Sequence, residues 1–358
     1  MKQTSKEPVV KVGAGTFDQL PALLKQHGTK VLLVHGHRPV EDGLLEKTRR
    51  LLNEAGFPHA NLGQILPNPK YGSVKRGIKV ARKEKCDVIL ALGGGSTLQC
   101  AKGIALGLGY KGDVWDFWTG RKKPQKVYPV GSILTNPSAG SILSQSCTLV
   151  RKGKRKTVRD PQLVSTFAIL DPRQAMYPMY PTMCQSFGLF VRLFNGALTT
   201  EGDTQEKVTG LLKQLLDATD ELSQNIHDVE ARTALFEIGY KSHTEVKIES
   251  GLLPDLAKKL AFEMSLANGA AQSALFGAWL DTQDKAKVVK AVNGISGKEI
   301  QDSAEARKVL MDRLQVTGLP LSIPETGLQV KNSQLKGLAQ TKQEQKILVN
   351  ANRLKKAE

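Results

Sequence analysis

The 358-residue sequence predicts two domains of different class, an α/β domain with a parallel sheet followed by an all-helical domain. In the first half, continuous apolar runs alternate with helical patterns, which is typical of parallel strands covered on both faces. Such runs disappear after Asp171-Pro172, and from about Pro181 onward Leu, Ala, Lys and Gln recur at helical spacing. We therefore predict an α/β domain over residues 1–176 and an all-helical domain over residues 177–358.

The predicted strands are four apolar runs, at residues 31–34, 87–92, 127–134 and 166–170. A helical pattern over 41–53 follows the first run, and the second run ends in a glycine cluster. Between the last two runs, segments 146–150 and 156–159 flank Gly153 and predict a basic hairpin. The polar segment 342–358 is expected to end the chain as a helix or as a frayed tail.

The chain is strongly basic, because Lys and Arg outnumber Asp and Glu by 51 to 34 and give a net charge of +17. This balance favours attraction to acidic or phosphate-rich partners. The basic residues cluster at 121–123, 151–159 and 353–356, yet no aromatic interleaving or known nucleic-acid motif accompanies them. A solvated basic surface is therefore favoured over a nucleic-acid site.

Apolar patterning and cysteine usage predict a cytoplasmic protein with no membrane partner. No apolar run approaches membrane-spanning length, and the N-terminus lacks the apolar stretch of a signal peptide. The four cysteines are scattered without CxxC spacing, which predicts reduced thiols. Three of them, Cys86, Cys100 and Cys184, are expected to be small buried side chains.

The strand over 87–92 runs directly into Gly93, Gly94, Gly95 and Ser96, and a helix follows. Glycines permit a tight turn and a close backbone approach, while the helix N-terminus offers unpaired N–H groups and the positive end of a dipole. This arrangement favours a phosphate. A tight turn that needs only small residues explains the same cluster about equally well.

The stretch GGGSTLQCAKGIA, at residues 93–105, resembles the GGGSxxDxAK loop of the iron-containing (group III) alcohol dehydrogenases, particularly their butanol dehydrogenase-like or aldehyde reductase branch. Four more segments resemble that family in the right order, at residues 67–69, 134–141, 168–172 and 317–320. The resemblance implies a dehydroquinate synthase-like fold, with a Rossmann-like nucleotide-binding domain before the helical domain. It also implies an NAD(P) cofactor, a small molecule or nucleotide bound in an interdomain cleft, and a homodimer.

In that family a glycine loop and a Thr/Ser loop hold the pyrophosphate and nicotinamide half of the cofactor. The residues that match these loops are Gly93, Gly94, Gly95, Ser96, Thr135 and Ser141. Two positions depart from the pattern, since Gln99 replaces an Asp and Ala139 replaces a Thr. Near the adenosine ribose, Gly36-His37-Arg38-Pro39 stands where the family has Gly-Gly-Gly-Ser. Arg38 either pairs with a 2′-phosphate and favours NADP or, with its neighbours, fills the space that an adenosine needs.

The family holds a divalent ion, iron or zinc, with one Asp and three His of the helical domain, and this ion polarises the substrate oxygen. The positions that match these ligands are Gly188, Arg192, Lys258 and Gln272. None is a plausible metal ligand. Shifted alignments put Gly196 or Lys259 at a ligand position, and neither of these is a plausible ligand. Two cations beside a divalent ion would each cost about 8 kcal/mol at 4 Å and an effective dielectric of 20. We therefore expect no metal.

Only His227 and His243 of the six histidines lie in the predicted helical domain, so three imidazoles cannot be supplied there. His243 has Glu245 and Glu249 nearby, which raises the alternatives of a proton relay or a new metal site. An exposed polar helix face is favoured instead, because no second imidazole stands at ligand spacing.

Three hypotheses of function follow, in order of preference. The first is a family member without metal-dependent dehydrogenase activity, a pseudoenzyme that binds NAD(P) or a partner. The second is an active NAD(P)H-dependent alcohol dehydrogenase or aldehyde reductase that uses Arg192 and Lys258 as electrophiles, if both side chains point inward. Such a pair would also suit a carboxylate or phosphate ligand. The third is a protein that binds acidic partners through its basic hairpin and termini.

Overall fold

The computed structural model describes residues 7–137 and 139–353. The chain divides into two compact units, Met1–Ala175 and Met176–Glu358. The first is an α/β unit and the second is helical, which confirms the predicted fold class.

The main sheet of the N-terminal unit has six parallel strands in the order β1-β8-β5-β4-β2-β3, counted over the described residues. Its strands are β1 Val9–Val12, β2 Val31–His35, β3 His59–Leu62, β4 Val88–Gly93, β5 Val130–Leu134 and β8 Phe167–Leu170. Every residue of the four central strands is buried, because helices cover both faces of the sheet. These four are the strands that the apolar runs predict.

The two edge strands, β1 and β3, were not predicted. The β1 sequence VVKV has an exposed or half-buried residue at each position, and the β3 sequence HANL buries only its last residue. Edge strands lack the continuous apolar pattern that reveals buried strands, since one side faces water. The predicted helix over 41–53 is likewise two helices, because Gly43 adopts a left-handed φ of 73° between them.

Helices of the N-terminal unit connect its parallel strands, because parallel neighbours need crossover connections. They are α1 Leu20–Leu24, α2 Arg38–Glu41, α3 Leu44–Glu54, α4 Tyr71–Lys83, α5 Gly95–Leu108, α6 Trp115–Trp118 and α7 Gly140–Leu143. Helix α5 is the most buried of them, and a side chain at Gly103 would collide with Val74 of α4. The small residue therefore sets how closely α4 and α5 approach.

A separate antiparallel hairpin, formed by β6 Ser146–Arg151 and β7 Lys154–Arg159, confirms the predicted basic hairpin. Its two-residue turn is Lys152-Gly153, with φ values of 51° and 72°. Two consecutive positive φ angles define a type I′ turn, at whose first position Asn, Asp or Gly is preferred. A lysine in this left-handed conformation costs about 1 kcal/mol relative to glycine.

The second unit is helical throughout its described part and carries one large apolar core. Its helices are α8 Met179–Thr199, α9 Gly202–Gln224, α10 Val229–Thr244, α11 Leu252–Met264, α12 Asn268–Leu280, α13 Lys285–Ser296, α14 Ser303–Gln315, α15 Asn332–Leu338 and α16 Lys342–Arg353. Aromatic rings of α8 and α12 pack edge-to-face at its centre, for example Phe187 on Phe276 at 5.7 Å. This packing fixes α8 against α12.

The last helix ends at Arg353, so the basic residues Lys355 and Lys356 lie outside the described residues. Within the part of the chain that is described, no helix is both long and apolar enough to cross a bilayer. All four cysteines are buried and free, as predicted for Cys86, Cys100 and Cys184.

Candidate functional site

The glycine cluster lies where the strand order of the main sheet reverses. β2 and β3 extend the sheet in one direction from this point, and β4, β5 and β8 extend it in the other. Ligands of open α/β sheets bind beyond the carboxyl ends of the strands at such a reversal. Gly36 follows β2, Gly93 ends β4 and Thr135 follows β5, so the sheet brings all three to one edge.

Two loops meet at this edge. The backbone N–H of Thr135 donates to the carbonyl of Gly93 at 3.2 Å. A methyl group added at Gly94 would lie 3.4 Å from the side-chain nitrogen Nδ2 of Asn136. One added at Gly95 would lie 3.8 Å from the Cβ atom of Ser141. The residues predicted from the glycine loop and from the Thr/Ser loop are therefore neighbours. Glycines at 94 and 95 keep the space between them open.

Lys102, on the helix that follows the glycine loop, fixes the position of the loop that contains Ser141. It is fully buried on α5, and its ammonium donates to the carbonyl oxygens of Ser141 and Ser144, each at 2.7 Å. Burial lowers the pKa of Lys102 to about 8, with a smaller opposing contribution from Cys147. The side chain thus holds the segment that carries Ser141 in place.

Polar atoms at this edge have hydrogen-bonding capacity left over. The Oδ1 atom of Asn136 and the hydroxyl of Ser141 are buried without a partner in the described residues. Helix α5, of 14 residues, begins at Gly95 beside them and directs its first N–H groups outward. A hydroxyl donor, free N–H groups and the positive end of a helix dipole together fit a phosphate group.

The ribose side of the edge is more crowded. Gly36 passes so close to the carbonyl oxygen of Ile65 that a Cβ atom there would lie 2.9 Å from it. Arg38 begins α2 and its Nε donates to the carboxylate of Asp42 at 2.8 Å. The predicted pairing of Arg38 with a 2′-phosphate would therefore compete with an existing ion pair.

The substituted loop residue Gln99 is anchored to the hairpin. Its Oε1 accepts the backbone N–H of Thr148 at 2.7 Å, and its carbonyl accepts the thiol of Cys147 at 3.1 Å. The residue that departs from the expected Asp therefore connects α5 to β6. The other departure, Ala139, is fully buried.

Of the four positions matched to metal ligands in the helical unit, Gly188 and Gln272 are adjacent. A Cβ atom at Gly188 would lie 3.7 Å from the Nε2 atom of Gln272, which is ordinary contact distance. Gln272 is buried, and its Oε1 has no partner among the described residues. Gly188 of α8, which has no side chain, therefore lies next to the neutral side-chain amide of Gln272 on α12.

The other two matched positions have different partners. Arg192 donates from Nε and Nη2 to the carbonyl of Ser242 on α10, at 3.1 and 2.8 Å. Lys258 is exposed on α11 and pairs with Asp255 at 2.9 Å, one helical turn away. The condition that both cations point inward together is therefore not met for Lys258. Lys259, which a shifted alignment puts at the same ligand position, pairs with Glu344 at 3.0 Å.

The expectation of an exposed face at His243 is wrong. Its side chain is half-buried near Arg192, and burial followed by the charge of Arg192 lowers its pKa to about 4. The imidazole is therefore neutral at neutral pH. The sequence did not reveal this, because the neighbouring Lys241, Thr244 and Glu245 are all typical of a solvated helix face.

Comparison with known proteins identifies the N-terminal unit. Residues 8–172 match the family model for iron-containing alcohol dehydrogenase. A probable NADH-dependent butanol dehydrogenase 1 of Bacillus subtilis is 28% identical over 236 residues, which are 63% of this chain and 60% of that protein. The NADH-dependent butanol dehydrogenase A of Clostridium acetobutylicum is 33% identical over 163 residues, 45% of this chain and 42% of that one.

Residues 8–172, just under half of the chain, are therefore the segment that belongs to the iron-containing alcohol dehydrogenase family. The chain matches about 60% or less of the length of these curated relatives. The fold agrees over nearly the whole chain with the crystal structure of an NADH-dependent butanol dehydrogenase A from Thermotoga maritima. That comparison has a TM-score of 0.85 at 20% identity and covers 98% of both chains.

The four matched positions do not fit the divalent ion of the iron-containing alcohol dehydrogenases. Glycine has no donor atom, a glutamine amide is a weak neutral donor, and arginine and lysine repel a cation. Among residues 7–137 and 139–353, no group of three or more His, Cys, Asp or Glu side chains is arranged to hold a metal ion.

Sequence reasoning missed two residues of the glycine-loop edge, Asn136 and Lys102. Asn136 stands between Thr135 and Pro137 in the loop that resembles the family, at a position where the family pattern is variable. Lys102 is part of the quoted loop motif, yet a lysine inside a helix is usually read as exposed. Only the burial of α5 shows that its charge points inward.

Proposed function

We propose that this chain is an NAD(P)-binding member of the iron-containing alcohol dehydrogenase family that does not use the divalent metal and lacks metal-dependent dehydrogenase activity. The observation that carries the proposal is the set of partners at the four matched positions. Gly188 and Gln272 present no charge, while Arg192 and Lys258 are occupied by Ser242 and Asp255. None of the four supplies a metal ligand, and Lys258, paired with Asp255, does not meet the condition of pointing inward together with Arg192.

The glycine-loop edge supports the cofactor part of the proposal. Gly93, Gly94, Gly95 and Ser96 begin a buried helix beside Thr135, Asn136 and Ser141. Two of the relatives that match this chain are named as NADH-dependent. NAD(P)H supplies a hydride donor when it is bound. The residues of this chain would bind its phosphates through backbone N–H groups, and Ser141 would donate a hydroxyl hydrogen bond.

The proposal predicts cofactor binding without turnover. NADH and NADPH titrated by fluorescence are expected to bind, and Gly94→Ala is expected to weaken binding about tenfold because its methyl group enters the space beside Asn136. Gly72→Ala is the matched control, because Gly72 lies on the exposed side of α4 with nothing within 4 Å. It is expected to leave affinity unchanged.

The absence of metal chemistry is tested by assaying a panel of aldehydes with each reduced cofactor, with and without added iron or zinc. We expect no metal-stimulated turnover. Turnover that requires stoichiometric iron or zinc would contradict the proposal. Turnover in metal-free buffer that is lost in Arg192→Ala and Lys258→Ala would instead favour the alternative of an active reductase that uses these two cations.

A gain-of-function variant tests the same proposal from the other side. Because Lys258 is exposed on α11, the variant changes the other three positions: Gly188→Asp, Arg192→His and Gln272→His, combined in one chain, would supply one carboxylate and two imidazoles. The open contact at Gly188 admits a Cβ atom. We expect this variant to bind Zn²⁺ when the parent does not, by metal analysis after dialysis. Equal zinc content in the variant and the parent protein would show that the substituted positions do not determine metal binding.

A further inference from the structure

The net positive charge is confined to the first half of the chain. Residues 1–175 contain 29 Lys and Arg against 12 Asp and Glu, whereas residues 176–358 contain 22 of each. The N-terminal unit therefore carries the whole excess of +17, and the helical unit is neutral. If the excess charge served only solubility, it would be expected in both units. Its restriction to the N-terminal unit therefore indicates that this unit binds an acidic partner.

The hairpin tip keeps a lysine where backbone geometry disfavours one. Lys152 adopts a φ of 51° at the first position of the type I′ turn, which Asn or Gly occupies at lower cost. It lies among the exposed cations Lys154 and Lys156 of β7. Strain that is retained at a tip surrounded by like charge is a reason to assign the tip a function.

The base of the hairpin carries the aromatic groups that the sequence pattern did not show. The guanidinium of Arg151 lies 4.7 Å from the ring centre of Tyr71 and 5.2 Å from that of Trp115. Tyr71 and Trp115 themselves pack edge-to-face at 5.2 Å. Asp113 accepts from the Tyr71 hydroxyl and pairs with Arg151 at 3.7 Å, which orients the guanidinium. Trp115 remains half-buried, so part of its ring is open to a partner.

A cavity of about 450 Å³ opens beside this cluster. Tyr71 forms one end, and Lys75, Lys79 and Arg82 of α4 line it at helical spacing. The Nζ atom of Lys75 is 6.0 Å from the Tyr71 ring centre, so the cavity and the aromatic cluster are continuous. This volume accepts a planar group of the size of a nucleobase. The cations that line the cavity could bind the phosphates on either side of such a nucleobase.

The composition of this face favours a hydrophilic polyanion over a membrane. Of the large apolar side chains that are exposed in the described residues, none lies between Lys70 and Ala175. A surface that inserts into lipid needs exposed apolar side chains beside its cations. The cations also extend from α4 through the hairpin, farther than a single small phosphate compound reaches.

We propose that the basic face formed by α4, α6 and the β6–β7 hairpin binds single-stranded nucleic acid. Phosphates contact Lys75, Lys79 and the lysines of the hairpin, and a base stacks on the Arg151–Trp115 platform or enters the adjoining cavity. The residues of this surface are different from those named at the glycine-loop edge. The inference does not depend on NAD(P) binding or on the fate of the metal site.

The test is a fluorescence-anisotropy titration of the full chain with labelled U20 and dT20 oligonucleotides, at a series of salt concentrations and with 1 mM NADH present to occupy the glycine loop. Lys152→Gln, Lys154→Gln and Lys156→Gln in one chain remove three exposed charges. We expect at least a tenfold loss of affinity at 50 mM salt and a salt slope smaller by about 2. Quenching of tryptophan fluorescence by the oligonucleotide is expected to diminish in Trp115→Phe.

Two matched controls separate this surface from net charge and from stability. Lys285→Gln, Lys287→Gln and Lys290→Gln remove the same charge from α13 of the neutral unit, and affinity is expected to change less than twofold. Lys152→Gly and Lys85→Gly both relieve a lysine with positive φ, at 51° and 55°, and both are expected to raise the melting temperature. Only Lys152→Gly is expected to weaken oligonucleotide binding, by about threefold.

Three results would overturn the proposal. The first is equal loss of affinity in the two triple variants, which would mean that net charge alone attracts the oligonucleotide. The second is retention on phosphatidylserine vesicles without oligonucleotide binding at 50 mM salt. The third is competition by polyglutamate that matches that of unlabelled oligonucleotide at equal charge.

Discussion

In the middle of α11, two successive lysines each pair with a different carboxylate. Lys258 pairs with Asp255 on the same helix, whereas Lys259 reaches Glu344 on α16. Glu344 is buried, and it also accepts the backbone N–H of Gln340. Burial raises the pKa of Glu344, but the hydrogen bonds from Gln340 and Lys259 and the charge of Lys259 outweigh it, so the pKa lies below the usual value of 4.5. The pair fixes the C-terminal helix against α11.

Glu344→Gln is expected to lower the free energy of unfolding by about 2 kcal/mol at pH 7, because it removes a charged acceptor from a buried site. A depressed carboxyl pKa contributes stability above the unfolded pKa, and this contribution is lost as pH falls through the folded pKa. The difference between the two proteins should therefore shrink below about pH 4.5. Urea denaturation from pH 7 to pH 3 checks this. Asp255→Asn, at the exposed pair, is the control and should cost less than about 0.5 kcal/mol.

The chemistry of individual charged residues was the part of the site least accessible from sequence. Motif matching correctly placed Gly94, Gly95 and Ser141 together, since loops after neighbouring strands meet at one sheet edge. It did not reveal that Lys258 is paired outward, or that His243 is half-buried. Both facts depend on which way a helix faces, which a local pattern of polar residues does not determine.

Among the elements, the β6–β7 hairpin is attached to the N-terminal unit at a few points. Gln99 accepts the N–H of Thr148, the indole N–H of Trp118 donates to the carbonyl of Cys147 at 3.0 Å, and Lys70 bridges to Val150. Beyond these contacts the strand β7 is almost entirely exposed. The hairpin is therefore held by these hydrogen bonds together with the buried side chains Cys147 and Leu149 of β6.

Gln99→Leu is expected to cost about 1–2 kcal/mol, because the half-buried N–H of Thr148 loses its acceptor. Hydrogen exchange followed by mass spectrometry should show faster exchange in peptides that cover residues 146–159. Thr157→Val is the control. It removes only the exposed hydroxyl contact with Thr148, at 2.7 Å, and should leave exchange nearly unchanged. Unchanged exchange in Gln99→Leu would show that the hairpin is held by other contacts.

Prediction succeeded for buried elements and failed at the edges of the sheet. The central strands β2, β4, β5 and β8 were visible as continuous apolar runs because both of their faces are covered. The edge strand β3 was not, since His59 and Asn61 are tolerated on its open side. The hairpin was found from a glycine between two basic segments, but its aromatic neighbour Tyr71 comes from a distant part of the sequence.

At the scale of the whole molecule, the structure joins a basic α/β unit to a neutral helical unit. The α/β unit brings the glycine loop and the Thr/Ser loop to one sheet edge, and positions 188, 192, 258 and 272 of the helical unit carry neither a carboxylate nor an imidazole. A functional metal ion at 100 times its dissociation constant would stabilise the folded chain by about 2.7 kcal/mol. Removing such an ion would therefore have a measurable thermal effect.

We expect incubation with EDTA, followed by desalting, to change the melting temperature by less than 1 °C. Loss of a stabilising ion would instead lower it by roughly 5–10 °C, at 2–4 °C for each kcal/mol in a unit of this size. Differential scanning calorimetry before and after treatment, with added Zn²⁺ as the reverse experiment, checks this. A drop that zinc reverses would contradict the metal-independent proposal.

The burial of Lys102 has a consequence for alkaline solutions. Its folded pKa of about 8 lies below the ordinary 10.5, so between these values the unfolded chain holds a proton that the folded chain has released. Folding is then favoured by rising pH, until the thiol of Cys100, whose pKa is raised from 9.0 to about 12, begins to act in the opposite sense above pH 9. With these two titrations the stabilisation stops rising only between about pH 9 and pH 10, so a mildly basic buffer is expected to preserve the fold better during storage than a neutral one.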